Sequence, residues 1–225
     1  HELYMASGRG EVKGFTVPAI NLRSMTYDLA RAIFRTALKN NSGAFIFEIA
    51  KSEMGYTSQP PAEFTGVILA AAIRENWQGP VFIQADHTQV NAKKFQEDQN
   101  KELKALEDVI SDAISCGFYN IDIDSSTLVD LSKKDIKKQQ KFNYEVCAKL
   151  TQLIRRIEPK GITVSVGGEI GEVGHQNSTP EDLRAFMEGY KERLRKGLVG
   201  ISKISIQTGT SHGGIVNSDG SIAEV

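Results

Sequence analysis

Cysteine is scarce in this sequence, which holds only Cys116 and Cys147 among its 225 residues. Both lie within apolar stretches of helical period, and their spacing matches neither a disulfide framework nor a metal-binding pair. Free cysteines in such positions usually behave as small buried hydrophobic residues. We therefore expect two inert, buried thiols and a protein of the reducing cytoplasm.

The sequence also lacks a charge excess and a long hydrophobic run. It has 27 Lys and Arg against 28 Asp and Glu, and the resulting net charge of −1 offers no long-range attraction for nucleic acid. No apolar segment approaches the roughly 20 residues that a helix needs to cross a bilayer. Nucleic acid and membranes are therefore excluded from the expected partners.

What the sequence does contain is a regular alternation of two kinds of segment. Apolar runs bounded by turn residues predict buried strands at residues 14–20, 43–50, 79–85, 117–123, 161–168 and 197–209. The stretches between these runs repeat apolar residues with helical period, and Thr179 before Pro180 predicts the start of the last helix. This alternation indicates βαβ units and a parallel sheet whose strands are buried on both faces.

Two parallel architectures fit this alternation, a closed (β/α)8 barrel and an open doubly wound sheet. An open sheet that binds dinucleotides needs a G-x-G-x-x-G turn after its first strand, whereas residues 17–26 read VPAINLRSMT. We therefore predict an α/β protein with the (β/α)8 TIM-barrel fold. Since six βα units can be counted, residues 1–225 are expected to form one barrel domain whose last two strands lie beyond Val225.

Unusual polar residues stand at the carboxyl ends of the predicted strands. They are Asn21, Asp86, His87, Asp124, Glu169 and His212. In a parallel barrel these ends share one rim, so side chains far apart in sequence converge on one cavity. The sequence has only four histidines, and the convergence of two of them with several carboxylates suggests a bound metal ion.

Each of these motifs also has a plainer interpretation. The Asp86–His87 pair is an acid/base carboxylate beside a metal ligand, or the start of a solvated loop. Neighbouring side chains of a strand point to opposite faces, so the pair can act together only where the strand turns into its loop. His212 lies in GTSHGG, which is either a ligand and phosphate loop or an exposed one. Glu169 in GGEIGEVG is either an inward carboxylate or a solvent-facing residue at a tight corner.

The fourth strand offers two carboxylates on one face, Asp122 and Asp124, where like charges raise each other's pKa. Asp124 lies nearer the rim and is the stronger candidate for the site. The lysine-rich run at residues 132–141 is interpreted as a solvated helix start, and His175 as an exposed loop residue.

The motifs VPAIN, ADH, DIDSS, GEIGEVG and GTSHGG, in this order and each closing a predicted strand, resemble the class II, metal-dependent fructose-bisphosphate and tagatose-bisphosphate aldolases. The resemblance spans nearly the whole chain and implies a TIM barrel in which three histidines hold Zn²⁺. His87 matches the first of these ligands and His212 the second. The third belongs to an HGG loop after the seventh strand, beyond the six strands counted here.

The resemblance also implies roles for the other residues of the site. Asp86 is the proton shuttle at the hydroxyl of the bond that is cleaved, and Glu169 lies beside the metal as an alternate ligand or support. A second acid/base is expected on a mobile loop after the fifth strand, in the region of Glu181 and Asp182. The residues left for substrate binding are Asn21, Asp124, Gly213 and Gly214, with the two glycines in a loop for phosphate and a monovalent cation.

Three positions depart from the family pattern. Gln84 stands where the family usually has histidine, Ala50 where it has serine, and Gly167 where it has an acidic residue. Loss of a polar partner in a buried phosphate site costs a few kcal/mol, which is enough to redirect specificity. The contacts to substrate are therefore expected to differ from those of a typical bisphosphate aldolase.

The expected function is a metal-dependent aldolase that reversibly cleaves a phosphorylated ketose to dihydroxyacetone phosphate and an aldehyde. The same scaffold leaves open a metal-dependent sugar or sugar-acid epimerase, and a non-catalytic sugar-phosphate-binding relative. The expected partners are a small sugar phosphate and further copies of the chain in a dimer or tetramer.

Overall fold

The computed structural model describes residues 1–171, 177–207 and 217–221 of the chain. Six parallel strands form one sheet that curls into a half-barrel. They are β1 (Ala19–Asn21), β2 (Ile46–Ala50), β3 (Phe82–Gln89), β4 (Asn120–Asp124), β5 (Ser165–Gly171) and β6 (Lys203–Ile206). Each strand pairs with the next one along the chain, from β1 to β6.

This strand order decides between the two architectures that the sequence left open. A doubly wound sheet reverses its strand order at a switch point, whereas the strands here follow one another in sequence order. All six predicted strands are present, and each begins three to six residues later than the apolar run suggested. Within the described residues β1 and β6 are the edges of the sheet, so closure by eight strands stays a prediction.

Among the described residues one helix precedes the first strand and the others lie between strands, where the apolar periodicity predicted the five longest of them. The helices are α1 (Glu2–Gly8), α2 (Thr26–Lys39), α3 (Lys51–Tyr56), α4 (Pro61–Arg74), α5 (Ala92–Glu97), α6 (Gln99–Ser115), α7 (Ile136–Gln139), α8 (Lys141–Ile157) and α9 (Pro180–Arg193). Helix α9 begins as predicted, because the Thr179 hydroxyl accepts a hydrogen bond from the Asp182 N–H in a capping box. Among the described residues, no helix combines the length and apolar character that crossing a bilayer requires.

The two faces of the strands differ in a way that the apolar runs did not predict. On β2 the side chains of Phe47 and Ile49 are fully buried in the hydrophobic core under the helices. Glu48, between them, points to the other face and hydrogen-bonds Gln84 of β3. The prediction that the strands are buried on both faces is confirmed for β4, all five residues of which are buried, but the inner face of the half-barrel is lined by polar side chains that bond one another across strands.

Aromatic packing holds the outer helices on the sheet. The ring of Phe34 on α2 lies 5.1 Å from that of Phe47 and 5.4 Å from that of Trp77, measured between centroids.

Both cysteines are free. Cys147 is fully buried, and burial raises the pKa of its thiol. Cys116 is only half-buried, contrary to expectation, because it follows the last turn of α6 near the surface.

Candidate metal centre

The third strand carries a β-bulge that turns two consecutive residues toward the inside of the half-barrel. The register of β3 on β4 shifts between Ala85 and Thr88, and the two residues in the bulge are Asp86 and His87. His87 has a left-handed φ of 39°. A bulge re-aims a side chain that would otherwise point to the opposite face. The pair was expected where the strand turns into its loop, but β3 continues to Gln89 and the bulge takes the place of that turn.

The imidazole of His87 lies among three carboxylates. Its Nδ1 is 3.3 Å from Oδ2 of Asp124 and 3.6 Å from Oε2 of Glu169, while its Nε2 is 4.0 Å from Oδ2 of Asp86. The hydrogen bond to Asp124 is the largest cause that raises the pKa of His87 to about 10, and the charges of Asp86 and Glu169 add to it. Without a metal ion, this imidazole is therefore a cation at neutral pH.

Asp124 is fixed at the carboxyl end of β4 by donors from three neighbours. The side-chain amide of Gln89 donates to Oδ2 over 2.6 Å, and the backbone N–H and the hydroxyl of Ser126 donate to Oδ1 over 3.1 and 2.7 Å. Burial alone would raise the pKa of Asp124, but the hydrogen bonds from His87, Ser126 and Gln89 outweigh it and lower the pKa. Asp124 therefore stays ionised. The expected mutual effect of the two carboxylates is confirmed for Asp122 only, whose raised pKa is due mainly to burial and in part to the charge of Asp124.

A buried asparagine ties the end of β4 to β5. The Ser125 hydroxyl donates to Oδ1 of Asn143 over 2.7 Å, and the amide of Asn143 donates to the backbone carbonyl of Glu169 over 2.9 Å. Asn143 belongs to α8 and is completely buried. Asn143 therefore links the residue that follows Asp124 to the backbone of Glu169. The sequence analysis did not predict this role.

Glu169 carries the clearest sign that this cluster is built for a cation. Its Oε2 is buried and has no hydrogen-bond partner among the described residues. Burial is the largest cause that raises the pKa of Glu169 to about 8, and the charge of Asp124 raises it further. A buried carboxylate oxygen without a donor is costly, and a metal ion would satisfy it.

The three side chains fit a divalent metal ion. One ligand atom from each of His87, Asp124 and Glu169 lies within 4.8 Å of the other two. An imidazole nitrogen together with carboxylate oxygens is a donor set that binds Zn²⁺ and other divalent ions of the first transition row. Asp86 lies at the edge of this set, half-buried, and burial is the main cause of its raised pKa.

A second polar cluster lies on the inner face of the strands beside the metal centre. The amide of Gln84 donates to Oε2 of Glu48 over 2.7 Å, and its Oε1 accepts a hydrogen bond from the ammonium of Lys203. Asp122 lies against Gly167 on the neighbouring strands. Two of the three departures from the family pattern, Gln84 and Gly167, therefore fall in this cluster.

The remaining predicted substrate residue, Asn21, lies at the end of β1 and bonds a residue that sequence analysis missed. Its amide donates to Oε2 of Glu53 over 2.8 Å, whereas its own Oδ1 is buried without a hydrogen-bond partner among the described residues. Glu53 is buried and also accepts from the backbone N–H of Ala50 and from Arg23. Asn21 is therefore held beside Glu53 rather than against the imidazole of His87.

Four residues of the predicted site or its surroundings lie outside the described residues. They are His175, His212, Gly213 and Gly214. Of the two acidic residues considered for the second acid/base, Asp182 accepts hydrogen bonds from the backbone N–H and the hydroxyl of Thr179 and so serves to cap α9. Glu181, in the first turn of α9, is exposed.

The sequence of the chain matches a known protein family. Residues 8–221 match the family described as "Fructose-bisphosphate aldolase class-II". A similar solved structure is that of a probable tagatose 6 phosphate kinase from Sinorhizobium meliloti 1021, with a TM-score of 0.58 and 14% sequence identity over 80% of this chain. The match covers 45% of that protein, so this chain spans about half its length, and the likeness concerns the fold alone. No curated protein matches the chain.

Proposed function

The chain belongs to the class II fructose-bisphosphate aldolase family, and from this premise we propose that it is a metal-dependent lyase that reversibly cleaves a phosphorylated ketose to dihydroxyacetone phosphate and an aldehyde. The observation that carries the proposal is the convergence of His87, Asp124 and Glu169. Within this cluster Oε2 of Glu169 is buried and has no hydrogen-bond partner among the described residues. The finer points, namely a bisphosphate substrate, Zn²⁺ as the metal and a cytoplasmic oligomer, extend the family's properties to this chain.

His87 and His212 are the proposed histidine ligands, and Glu169 is the carboxylate that binds or supports the ion. A divalent ion held by these residues would act as a Lewis acid on a ketone oxygen and on the negative charge that develops when a carbon–carbon bond breaks. Asp124 positions His87 through its contact with Nδ1. Such an outer carboxylate fixes the ring and its tautomer, so the geometry of the site depends on Asp124 whether or not it touches the ion.

Asp86 is the proposed proton shuttle. In the cleavage direction its carboxylate takes the proton from the substrate hydroxyl as the carbon–carbon bond breaks, and in condensation it returns that proton to the new hydroxyl. The bulge supports this role because it brings Asp86 within 4.0 Å of the His87 ring, and burial raises the pKa of Asp86 so that it can hold a proton.

We assign substrate binding to residues at the carboxyl ends of the strands and to the loop that contains Gly213 and Gly214. Asn21, whose Oδ1 has no partner among the described residues, and the carboxylate of Asp124 are the proposed contacts on the described strands. Gly213 and Gly214 are the proposed phosphate contacts, with a monovalent cation bound at the same loop. In this proposal the full barrel has eight strands and forms one domain, to which residues 1–225 belong.

The proposal is tested by incubating the protein with fructose 1,6-bisphosphate and tagatose 1,6-bisphosphate and measuring triose phosphate. We expect production of triose phosphate that EDTA abolishes, that a divalent ion restores, and that His87→Ala removes. Asp108→Asn is the matched control, because Asp108 pairs with Lys104 on the exposed surface of α6. Conversion of either sugar to an epimer without triose phosphate would identify an epimerase, and absence of metal binding would leave the non-catalytic reading.

A further inference from the structure

A cleft on the outer side of the half-barrel lies apart from the metal centre. It has a volume of about 540 Å³ and is formed by α6, α8 and the segment that joins α9 to β6. Arg155 in its wall donates to the backbone carbonyls of Val164 and Val199, which precede β5 and β6. The cleft is therefore near the amino ends of the strands, whereas Asp124 of the metal centre stands at the carboxyl end of β4.

Basic side chains dominate the lining of this cleft. Its charged lining residues are Lys149, Arg155, Arg156, Arg195 and a single carboxylate among the described residues, Glu107. Nζ of Lys149 lies 3.9 Å from Oε1 of Glu107, so these two charges partly offset each other. The three arginines remain, in a chain whose net charge is −1. A concave surface with such a local excess of positive charge attracts small anions.

Arg155 supports the cleft and is not one of its free cations. Its side chain is only 3% exposed, and Nη1 pairs with the carboxylate of Glu158. Its Nε donates to the carbonyl of Val199 over 2.8 Å. Because Arg155 belongs to α8 and Val199 to the segment before β6, these bonds fasten the two walls of the cleft together. The cleft is therefore preformed.

The other two arginines approach each other from the two walls and have free guanidinium groups. The Arg195 N–H donates to Oε1 of Gln152 over 3.2 Å, and Gln152 and Arg156 are four residues apart on one face of α8. Among the described residues, neither guanidinium group forms an ion pair or a hydrogen bond, whereas most arginines of the chain pair with a carboxylate. Guanidinium groups bind phosphate oxygens through paired N–H donors.

The rest of the lining indicates what else the ligand carries. Leu153 is 8% exposed and Leu198 is half-buried, and both contribute apolar surface. The carboxylate of Glu107 can accept hydrogen bonds from hydroxyl groups. The volume exceeds that of a lone phosphate ion and falls within the range of small-molecule sites. A nucleic acid fits less well, since its row of phosphates needs an extended basic surface without a carboxylate.

We propose that this cleft is a second ligand site, which binds a phosphate ester of a small hydroxylated molecule and holds the phosphate between Arg156 and Arg195. The bound phosphate provides the partners that both guanidinium groups lack among the described residues. The proposal does not depend on the proposed function, because no residue of the cleft belongs to the metal centre.

The first test maps which arginines a phosphate ester protects from phenylglyoxal in the metal-free wild-type protein. Glucose 6-phosphate is the probe, glucose is its uncharged control, and peptide mass spectrometry locates the modified side chains. At about ten times the dissociation constant, we expect modification of Arg156 and Arg195 to slow by about tenfold, since only the unoccupied fraction reacts. Arg74, exposed in the last turn of α4, is the internal control and should react at an unchanged rate.

The second test measures the affinity of the same metal-free protein for glucose 6-phosphate by calorimetry. Arg156→Gln and Arg195→Gln each remove a charged donor, and each should weaken binding by about tenfold or more. Both should keep the melting temperature of the wild type, because neither guanidinium group has a partner among the described residues. Arg74→Gln is the matched control and should bind the probe as tightly as wild type.

Several results would overturn the proposal. They are a lack of protection at Arg156 and Arg195, equal protection at Arg74, and undiminished binding by the two cleft variants. Binding that His87→Ala abolishes and the cleft variants retain would place the phosphate at the metal centre instead. A single-stranded oligonucleotide that binds more tightly than glucose 6-phosphate and protects the same arginines would assign the cleft to nucleic acid.

Discussion

The carboxylate of Asp122 occupies the space that a side chain at position 167 would need. A Cβ built on Gly167 would come within 1.9 Å of Oδ1 of Asp122 and 2.9 Å of Cε of Lys203. The glycine that replaces the family's acidic residue is therefore the partner of a carboxylate on the next strand, β4. The inner face keeps an acidic group at this place, although it comes from another strand.

Replacement of Gly167 by alanine should consequently destabilise the protein. Asp122 is almost completely buried and cannot move aside freely, so we expect a loss of about 1–3 kcal/mol in the free energy of unfolding, measured by urea titration. Gly66→Ala is the matched control, because nothing lies within 4 Å of the new methyl group on the exposed face of α4. That substitution should instead stabilise the protein by about 0.5–1 kcal/mol. Equal effects at the two glycines would contradict the close packing of Asp122.

The hydrogen bond from Gln89 to Asp124 should control metal affinity without contact to the ion. Gln89→Met keeps a side chain of similar length but removes the donor that lies 2.6 Å from Oδ2 of Asp124. Loss of such an outer partner is expected to weaken metal binding by about 10–100-fold, measured by calorimetry. Gln78→Met offers a control at an exposed glutamine in the loop after α4. The view of Asp124 as part of the centre fails if both variants bind the metal as tightly as wild type.

Metal binding should release protons and strengthen as the pH rises. Hydrogen bonding to Asp124 raises the pKa of His87 to about 10, and burial raises that of Glu169 to about 8, so a cation must displace protons from this pair at neutral pH. Affinity is therefore expected to increase from pH 6 to pH 9. Calorimetry in buffers of different ionisation enthalpy measures the protons released, and an affinity that is constant over this range would argue against these ligands.

The metal-free protein should lose stability over the same range of pH. Burial raises the pKa values of Glu48, Asp122 and Glu169 to about 7, 6 and 8, and the hydrogen bond to Asp124 raises that of His87 to about 10. A group whose pKa is higher in the folded than in the unfolded state stabilises the fold below its unfolded pKa, and this stability is lost as the pH rises through the folded pKa. The melting temperature should therefore fall from pH 5 to pH 9.

Glu169→Gln should flatten that decline, because it removes one of the carboxyl groups that must lose a proton inside the protein. Thermal melts of the wild type and of this variant at pH 5, 7 and 9 provide the measurement. A melting temperature that rises with pH in the metal-free wild type would show that these groups do not have raised pKa values.

The sequence predicted the six strands, their order and the rim on which the polar residues meet, because apolar runs and helical periodicity are local signals. It could not predict the bulge at Asp86 and His87, since register depends on how β3 pairs with β4. The polar inner face was missed for a related reason. Glu48 lies between Phe47 and Ile49 in a run that reads as apolar, and its partner Gln84 is 36 residues away.

The sequence analysis also did not identify the residues that support the site. Asn143 lies in the first turn of the amphipathic helix α8, and only the fold shows that its amide reaches the backbone of Glu169. Glu53 appears in the sequence as an ordinary surface residue of α3, yet it is buried and bonded to Asn21. Such roles depend on contacts between elements that are distant along the chain.

The central claim is that His87, Asp124 and Glu169 gather around one divalent ion, and anomalous diffraction from crystals grown with Zn²⁺ tests it most directly. We predict one ion per chain, with a nitrogen of His87 at about 2.0–2.1 Å and an oxygen of Glu169 or Asp124 at about 2.0–2.2 Å. An ion bound elsewhere, or a His87 that keeps its contacts to the carboxylates with no ion beside it at saturating Zn²⁺, would contradict the account.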